Sequence, residues 1–448
     1  MYALAVELPI RLITISTEAA VATTGAGLLL GNEPDGFAIS AKDDSMEIRS
    51  STVPALNYAG SAITKFGACR ASAGMYYDSA GIIQSSANSL RIDYSPRNAG
   101  VPGYLVEETR TNELTYSETF AVVYTQGSLA FTVNSSTAPS GLLTAGKFYE
   151  TATTVEERNF YVPITATAAT YVFSIYLKAA GRDWAFVRFD PGGPVYGAYF
   201  NLVSGTVGTV SGVTATIQAV GDGWFRCTVS RLVTAGTWYC SVELAYANGV
   251  IAYAGVVNSG IYAWGRQCEL GSSATSYIPT TAAAVTRAAD LPYILTSILP
   301  FHTSVGSQYV WTVSHADTQG IVLIFLGADL VTQSNLGAAN YGGTGQQSMF
   351  EIWEAGTLMV RTFGGSAPRS TPHKLASAWS PTNNNAAFDG ATPDPDDEAG
   401  AASLPTVDRF QFGYGPFDVN HFNGWIMESL YVPRRMTNAE LQTLTSAG

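Results

Sequence analysis

The chain has 448 residues, with 23 Lys and Arg against 35 Asp and Glu, giving a formal net charge of −12. That length suits two to four domains of about 100–200 residues, each able to bury a core. Hydrophobic residues make up 46%, aromatics 12% and charged residues only 13%, which excludes a disordered chain. The acidic balance argues against a nucleic-acid binder, because phosphates demand a basic face.

At the start, Met1-Tyr2-Ala3-Leu4-Ala5-Val6-Glu7 lacks the basic n-region of a cleaved secretory signal. Nowhere does the sequence approach the roughly 20 apolar residues of a membrane-spanning helix, so no membrane insertion is expected. With four cysteines in the whole chain, a disulfide scaffold is not expected and the cytosol is the expected place of synthesis. Residues 1–112 alternate short strands with polar stretches such as Ser85-Ser86-Ala87-Asn88-Ser89. Such a segment struggles to build a core alone. It is expected to pack on the next domain or a neighbouring chain.

From 113 to 290 the pattern is a run of closely spaced strands, at 159–166, 170–178, 183–190, 197–203, 213–220, 223–232, 237–246 and 260–270. Thr170-Tyr171-Val172-Phe173-Ser174-Ile175-Tyr176-Leu177 sets small or polar residues between large ones, the period of two of a half-buried strand. Asp222-Gly223 and Asn248-Gly249 are hairpin-turn dipeptides. Eight strands suit a double-sheet jelly roll, and Pro279-Thr280-Thr281-Ala282-Ala283-Ala284 reads as an extended linker.

From 291 to 448 a second sandwich is expected, with strands at 308–313, 320–326, 348–353, 357–363, 374–380, 384–389, 409–414 and 422–432. Between them lie a Gly/Asn loop, Asn335 to Gly345, and an acidic loop, Asp394-Pro395-Asp396-Asp397-Glu398. The only helix expected follows Thr437, an N-cap with Glu440 three residues on to complete a capping box. No repeat of 20–50 residues argues for a propeller or β-helix. The fold class is therefore all-β: an N-terminal attachment segment followed by two β-sandwich domains.

Local signatures of catalysis are lacking. His302, His315, His373 and His421 are dispersed, with no metal-binding spacing between them. There is no nucleophile elbow and no phosphate loop. Along Glu351-Ile352-Trp353-Glu354 strand alternation sends the two acids to opposite faces. A glycosidase needs its carboxylates about 5–9.5 Å apart, and the E-x-D-x-x-E of sugar-cleaving sandwich enzymes lacks its central Asp here. The expectation is a protein that is not an enzyme and uses no cofactor. Calcium at the acidic loop is the one alternative, but the D-x-D-x-D-G ligand spacing is missing.

Cys227 and Cys240 lie on consecutive strands. If these paired as a hairpin, Cys227 would face residue 242 and the thiols would be diagonal, so all four cysteines read as apolar fillers. Trp224, Trp264, Trp311 and Trp425 sit in strand-like apolar patterns and belong to cores. Trp184, Tyr196, Trp238 and Trp379 lie nearer turns and strand ends, where exposed rings are available to stack on sugar faces.

Tyr104-Leu105-Val106-Glu107-Glu108-Thr109-Arg110-Thr111-Asn112 and the following Tyr116-Ser117-Glu118-Thr119-Phe120 resemble an L-V-E-E-x-R-T-N motif of tailed-bacteriophage virion structural proteins. Gly221-Asp222-Gly223-Trp224-Phe225-Arg226-Cys227 resembles their G-x-G-W-x-R element. Gly260 to Gly271, leading into Thr275-Ser276-Tyr277-Ile278-Pro279-Thr280, is similar to the segment that closes their jelly roll, itself like a carbohydrate-binding module. Cys227 and Cys268 stand where that family has aliphatic residues. The last domain is similar to concanavalin A-like (laminin-G-like) sandwiches through His373 to Trp379, Phe388-Asp389-Gly390, Phe410 to Gly413 and Phe422 to Ile426.

These resemblances imply a tail fibre, spike or head decoration, assembled in the bacterial cytoplasm and located in the virion. They imply other virion proteins and further copies of the chain as partners, with trimers common among fibres, and host-surface polysaccharide as a ligand. A polysaccharide depolymerase or lyase, and a purely structural decoration protein, are the alternatives.

Overall fold

The computed structural model describes residues 37–42, 45–50, 58–60, 70–95, 101–192, 195–296, 304–314, 320–326, 335–342, 347–354, 357–366, 371–395, 406–415 and 421–446. Among these residues the architecture is β-sandwich throughout, with one helix.

The central sandwich has two six-stranded antiparallel sheets. The first runs Leu129–Ser136, Ala145–Glu150, Gly260–Leu270, Ala169–Ala180, Trp224–Val233, Thr214–Ala219. The second runs Thr206–Ser211, Tyr196–Asn201, Trp184–Asp190, Gly236–Ala245, Asn159–Ala166, Tyr124–Gln126. Alternation sends Phe148, Phe173, Ile175, Leu177 and Val229 from the first sheet against Phe160, Val187, Phe189, Phe200 and Val242 from the second. The Phe148 and Phe160 rings stack across this core, their centroids 3.6 Å apart. Eight of these strands fall where alternation places them. The other four, at 124–126, 129–136, 145–150 and 206–211, are additional.

The Asp222-Gly223 turn closes the Thr214–Ala219/Trp224–Val233 hairpin, with both residues at positive φ, as a two-residue turn with the twist of its strands requires. Cys227 and Cys240 do not share a hairpin. The chain passes from Trp224–Val233 in the first sheet to Gly236–Ala245 in the second, so no partner at residue 242 exists for Cys227, which lies beside Ile175 and Ile217 instead. Cys227, Cys240 and Cys268 are buried and free, as apolar fillers are; Cys69 lies outside the described residues.

In the C-terminal sandwich, Gly306–Ser314 lies between Gly424–Val432 and Pro372–Trp379. The facing sheet runs Tyr293–Leu295, Arg409–Phe412, Gly320–Leu326, Asn335–Gly342, Gln347–Glu354, Thr357–Ser366. Residues 335–342, expected as a loop, form a strand paired on both sides. Their small side chains carry little alternation, and the pairing is made by backbone. The helix Asn438–Ser446 starts as expected. Glu440 N–H donates to Thr437 Oγ1 (3.3 Å) while Thr437 N–H donates to the Glu440 carboxylate (2.6 Å). Leu441 and Leu444 pack it on Tyr309, Ala376, Leu430 and Val432.

The N-terminal region is shared between the two sandwiches. Phe37–Ser40 pairs with Glu428–Tyr431, and Gly103–Val106 pairs with Gly424–Ile426 on the same edge of that strand. The hairpin Ala73–Tyr77/Ile83–Ala87 instead lays Met75, Tyr77 and Ile83 on Tyr176, Trp224, Trp264 and Tyr277 of the central sandwich. Residues 279–284 also pack back on the central sandwich: Thr280 bonds Ser117 and the Leu114 carbonyl, and Val285–Arg287 pairs with Arg110–Asn112.

Candidate functional site

The motif residues at 104–112 build a junction. Glu107 and Asp290, each 1% exposed, are ringed by Arg70, Arg91 and Arg287, at 1–2%. Arg91 Nη2 lies 2.9 Å from Glu107 and Arg70 Nη1 2.5 Å from Asp290. The two carboxylates raise the Arg91 pKa, whereas burial and the Arg91 charge lower that of Arg70. Asn112 uses its whole amide: Nδ2 donates to the Arg266 and Ile278 carbonyls, and Oδ1 accepts from Leu114 and Cys268 N–H. These side chains weld three stretches of chain and leave little for a ligand.

Beside this junction lies a narrow cleft of about 30 Å³ lined by Tyr77, Asp93, Tyr176, Arg226, Thr275 and Trp425, among others. Asp93 accepts from Tyr77 N–H (2.6 Å) and Trp425 Nε1 (2.6 Å). Burial pushes its carboxyl up to about 6 despite those two bonds. Arg226 donates to Ser174 Oγ (3.0 Å) and lies over the Tyr176 ring.

The opposite face of the same sandwich, the outward side of the second sheet, is different. Register places Gln126, Asn159, Glu243, Phe186 and Tyr199 in one row across five strands, and Tyr124, Tyr161, Ser241, Arg188 and Gly197 in the next. Tyr239 and Asp190 pair in the row beyond. Paired residues on one face have Cβ atoms about 4.5–5.5 Å apart, so the rows form one continuous surface. Tyr124, 58% exposed, stacks on Tyr161 at 5.5 Å, and Tyr239 meets Tyr161 edge-on at 5.5 Å. Phe186 and Tyr199 stack at 4.4 Å on the other side. Gly197 makes room for them, since a Cβ there would stand 2.8 Å from the Phe186 ring and 2.6 Å from Arg188 Cβ.

Between the two groups of rings the floor is polar and buried. Asn159, Ser241 and Glu243 are 0–1% exposed. Asn159 Oδ1, Ser241 Oγ, Glu243 Oε2 and Arg188 Nε have no hydrogen-bond partner among the described residues. Arg188 Nη2 sits 2.6 Å from Glu243 Oε1 and 3.3 Å from Asp190, an ion pair that engages one oxygen of the Glu243 carboxylate. Burial pushes the Glu243 carboxyl up to about 7 against the pull of Arg188. A buried polar group without a partner costs about 1–3 kcal/mol, so several on one face call for an occupant.

Of the four rings singled out from sequence, only Trp184 belongs to this face. It packs with Phe186, Tyr199 and Ile251 one row beyond Glu243. Tyr196 caps the end of the sandwich under Arg231, whose Cζ is 3.3 Å from the ring centroid. The exposure expected of Trp238 and Trp379 is not found. Trp238 is 5% exposed and donates to the Thr234 carbonyl, and Trp379 is 0% exposed against Gly306 and Phe350. Alternation offered a better signal. In Tyr239-Cys240-Ser241-Val242-Glu243-Leu244 every second residue is polar or aromatic, which marks the face turned away from the core.

In the C-terminal sandwich, Glu351 is occupied by Arg361 Nε (2.8 Å) and Trp353 Nε1 (3.2 Å). Among the described residues no group of three or more His, Cys, Asp or Glu is placed to hold a metal ion, and no helix is long and apolar enough to cross a membrane. Asp396, Asp397 and Glu398, the body of the acidic loop considered for calcium, lie outside the described residues.

No protein-family model matches the sequence, and no curated protein matches it. Solved structures with related architecture include domain 4 of AbnA, a GH43 extracellular arabinanase from Geobacillus stearothermophilus, in complex with arabinotriose. It is 12% identical over 39% of this chain and 82% of its own, at a TM-score of 0.27. The sialidase of Trypanosoma rangeli is 10% identical, covering 67% of this chain and 60% of its own, at 0.28. The CBM22-1–CBM22-2 tandem domain of Paenibacillus barcinonensis Xyn10C is 10% identical over 74% and 96%, at 0.23. This chain thus spans less than two thirds of the sialidase. Likenesses of this size carry no activity or ligand across, and the all-β sandwich class rests on the strands and registers above.

Proposed function

We propose that this chain is a virion structural protein of a tailed bacteriophage whose central sandwich binds polysaccharide on the host surface through the outward face of its second sheet. The observation that carries the binding part is the cluster of Tyr124 stacked on Tyr161, with Tyr239 edge-on, beside buried polar atoms without a protein partner. Apolar sugar faces stack on rings, and sugar hydroxyls fill such atoms. The virion part is supported by the motif resemblances at 104–120, 221–227 and 260–280. In this reading the N-terminal region attaches the protein to the particle, and further copies of the chain, as a trimer, together with other virion proteins are its assembly partners.

The test of binding is a glycan array probed with the intact protein and with Tyr161→Ala and Tyr239→Ala. Each substitution is expected to lower binding about tenfold, since about 1.4 kcal/mol is a factor of ten. Undiminished binding by both variants would remove this face from the reading. The location is tested by a reconstruction of the particle, where a projecting position on the tail or capsid is expected and absence from the particle overturns the assignment.

A second reading, a depolymerase, is favoured by one observation: Glu243 and Asp190 share Arg188, and Glu243 is held near 7, as an acid paired with an ionised carboxylate would be. Arg188, however, fills the space between the two carboxylates where a glycosidic oxygen would have to enter. New reducing ends released from a bound polysaccharide would decide for this reading.

A further inference from the structure

The chemistry of the open face also selects among sugars, an argument that rests on the reading of this face as a sugar site. Above about pH 7, where Glu243 ionises, the atoms of its floor are chiefly acceptors: Glu243 Oε2 and Asn159 Oδ1 accept only, Ser241 Oγ acts either way and Arg188 Nε donates, while Glu243 Oε1 is already met by Arg188. Charge points in the same direction. Glu243 feels Glu157 and Asp190 as well as Arg188, so carboxylates outnumber the one guanidinium here.

That guanidinium is already in contact with two of the acids. Neighbouring arginines are committed elsewhere: Arg158 to the Ala152, Thr154, Glu156 and Tyr253 carbonyls, Arg182 to Glu150, and Arg231 to the Tyr196 ring and the Gly212 carbonyl. A carboxylate on an entering sugar would therefore meet like charge and no spare cation, an arrangement that discriminates by repulsion. Hydroxyls and ammonium groups bring the donors the floor lacks, and tyrosine faces attract cations.

We propose that the open face takes uncharged or amine-bearing sugars and excludes acidic ones, with Glu243 as the specificity-determining residue. The experiment uses the intact protein at pH 8, where Glu243 is ionised, on an array of bacterial surface polysaccharides that includes neutral, free-amine, and uronate- or sialate-containing members at one ionic strength. Wild-type protein is expected to hold neutral and amine-bearing members at least tenfold more strongly than acidic ones. Glu243→Gln keeps the shape and removes the charge, and it is expected to narrow that ratio about tenfold. Asp190→Asn, at the edge of the face, is expected to narrow it less and serves if the first variant does not fold. Equal or stronger wild-type binding to acidic members overturns the selectivity while leaving the sugar site standing. An unchanged ratio in both variants overturns the role of the carboxylates. Binding to no member by folded protein removes the sugar reading, and this inference with it.

Discussion

The two outer faces of the central sandwich carry similar residue types and treat them in opposite ways. On the first sheet, Tyr176, Trp224, Trp264 and Tyr277 are roofed by the Ala73–Ala87 hairpin and neighbouring segments. Their polar atoms are matched: Tyr77 and Tyr176 hydroxyls pair at 3.1 Å, Trp224 donates to the Thr137 carbonyl and Trp264 to Thr144 Oγ1. On the second sheet, Tyr124, Tyr161 and Tyr239 have no such roof, and the polar atoms beneath them are unmatched. Aromatic content alone therefore does not mark a ligand surface. What separates glue from a docking surface is whether the adjoining hydrogen-bonding capacity is already spent.

The largest expected effect breaks the covered side. Asp290→Ala strands Arg70, Arg91 and Arg287 in the junction with Glu107 as their remaining carboxylate. Removing one partner of such a buried network costs on the order of 3–5 kcal/mol. Denaturant unfolding of the intact chain should show that loss.

A smaller effect concerns pH. Asp93 on the covered side and Glu243 on the open side have carboxyls raised by burial to about 6 and about 7. Each keeps a proton in the folded state at pH values where the unfolded chain has lost it, so their contribution to stability is full below about pH 4 and falls as pH rises through about 7. Glu243→Gln should remove its share, worth on the order of 3 kcal/mol. The melting temperature of this variant should then exceed that of wild type at pH 8 and match it near pH 4; the reverse order would mean that the Arg188 contact outweighs burial.

The smallest effect sharpens the contrast. Tyr124→Ala on the open face should change stability by no more than about 0.5 kcal/mol, because the ring is largely in solvent, whereas Trp264→Ala on the covered face should cost about 3–5 kcal/mol. Similar losses for both would mean that the open face is also structural.

Much of the architecture can be read from the sequence where alternation is strong. Asn159–Ala166 and Gly260–Leu270 have the boundaries that their period of two suggests. Asn335–Gly342 and Thr206–Ser211 escape such reading because Gly, Ala, Asn and Thr carry weak alternation, and what holds them is backbone pairing with the strands next to them in the chain. The Cys227–Cys240 geometry fails for another reason: a short link between strands looks the same whether it turns a hairpin or crosses between sheets. For the site, nearness to a strand end proved a poor guide to exposure. Trp379 is enclosed in a slot opened by Gly306, a residue no local pattern connects to it. The open face needed cross-strand register, which puts Tyr161 beside Ser241 and Ser241 beside Arg188.

The strand Gly424–Val432 takes Phe37–Ser40 and Gly103–Val106 along a single edge. During translation those early segments pair on one side with Ser45–Ser50 and Arg91–Asp93, but their other edge stays open until residue 432 has emerged from the ribosome. Such long-range closure is intrinsically slow and leaves unpaired edges at risk of joining the wrong chain. Crowded polysomes would be where this protein is most prone to clump, and slowing its production would raise the yield of correctly folded material.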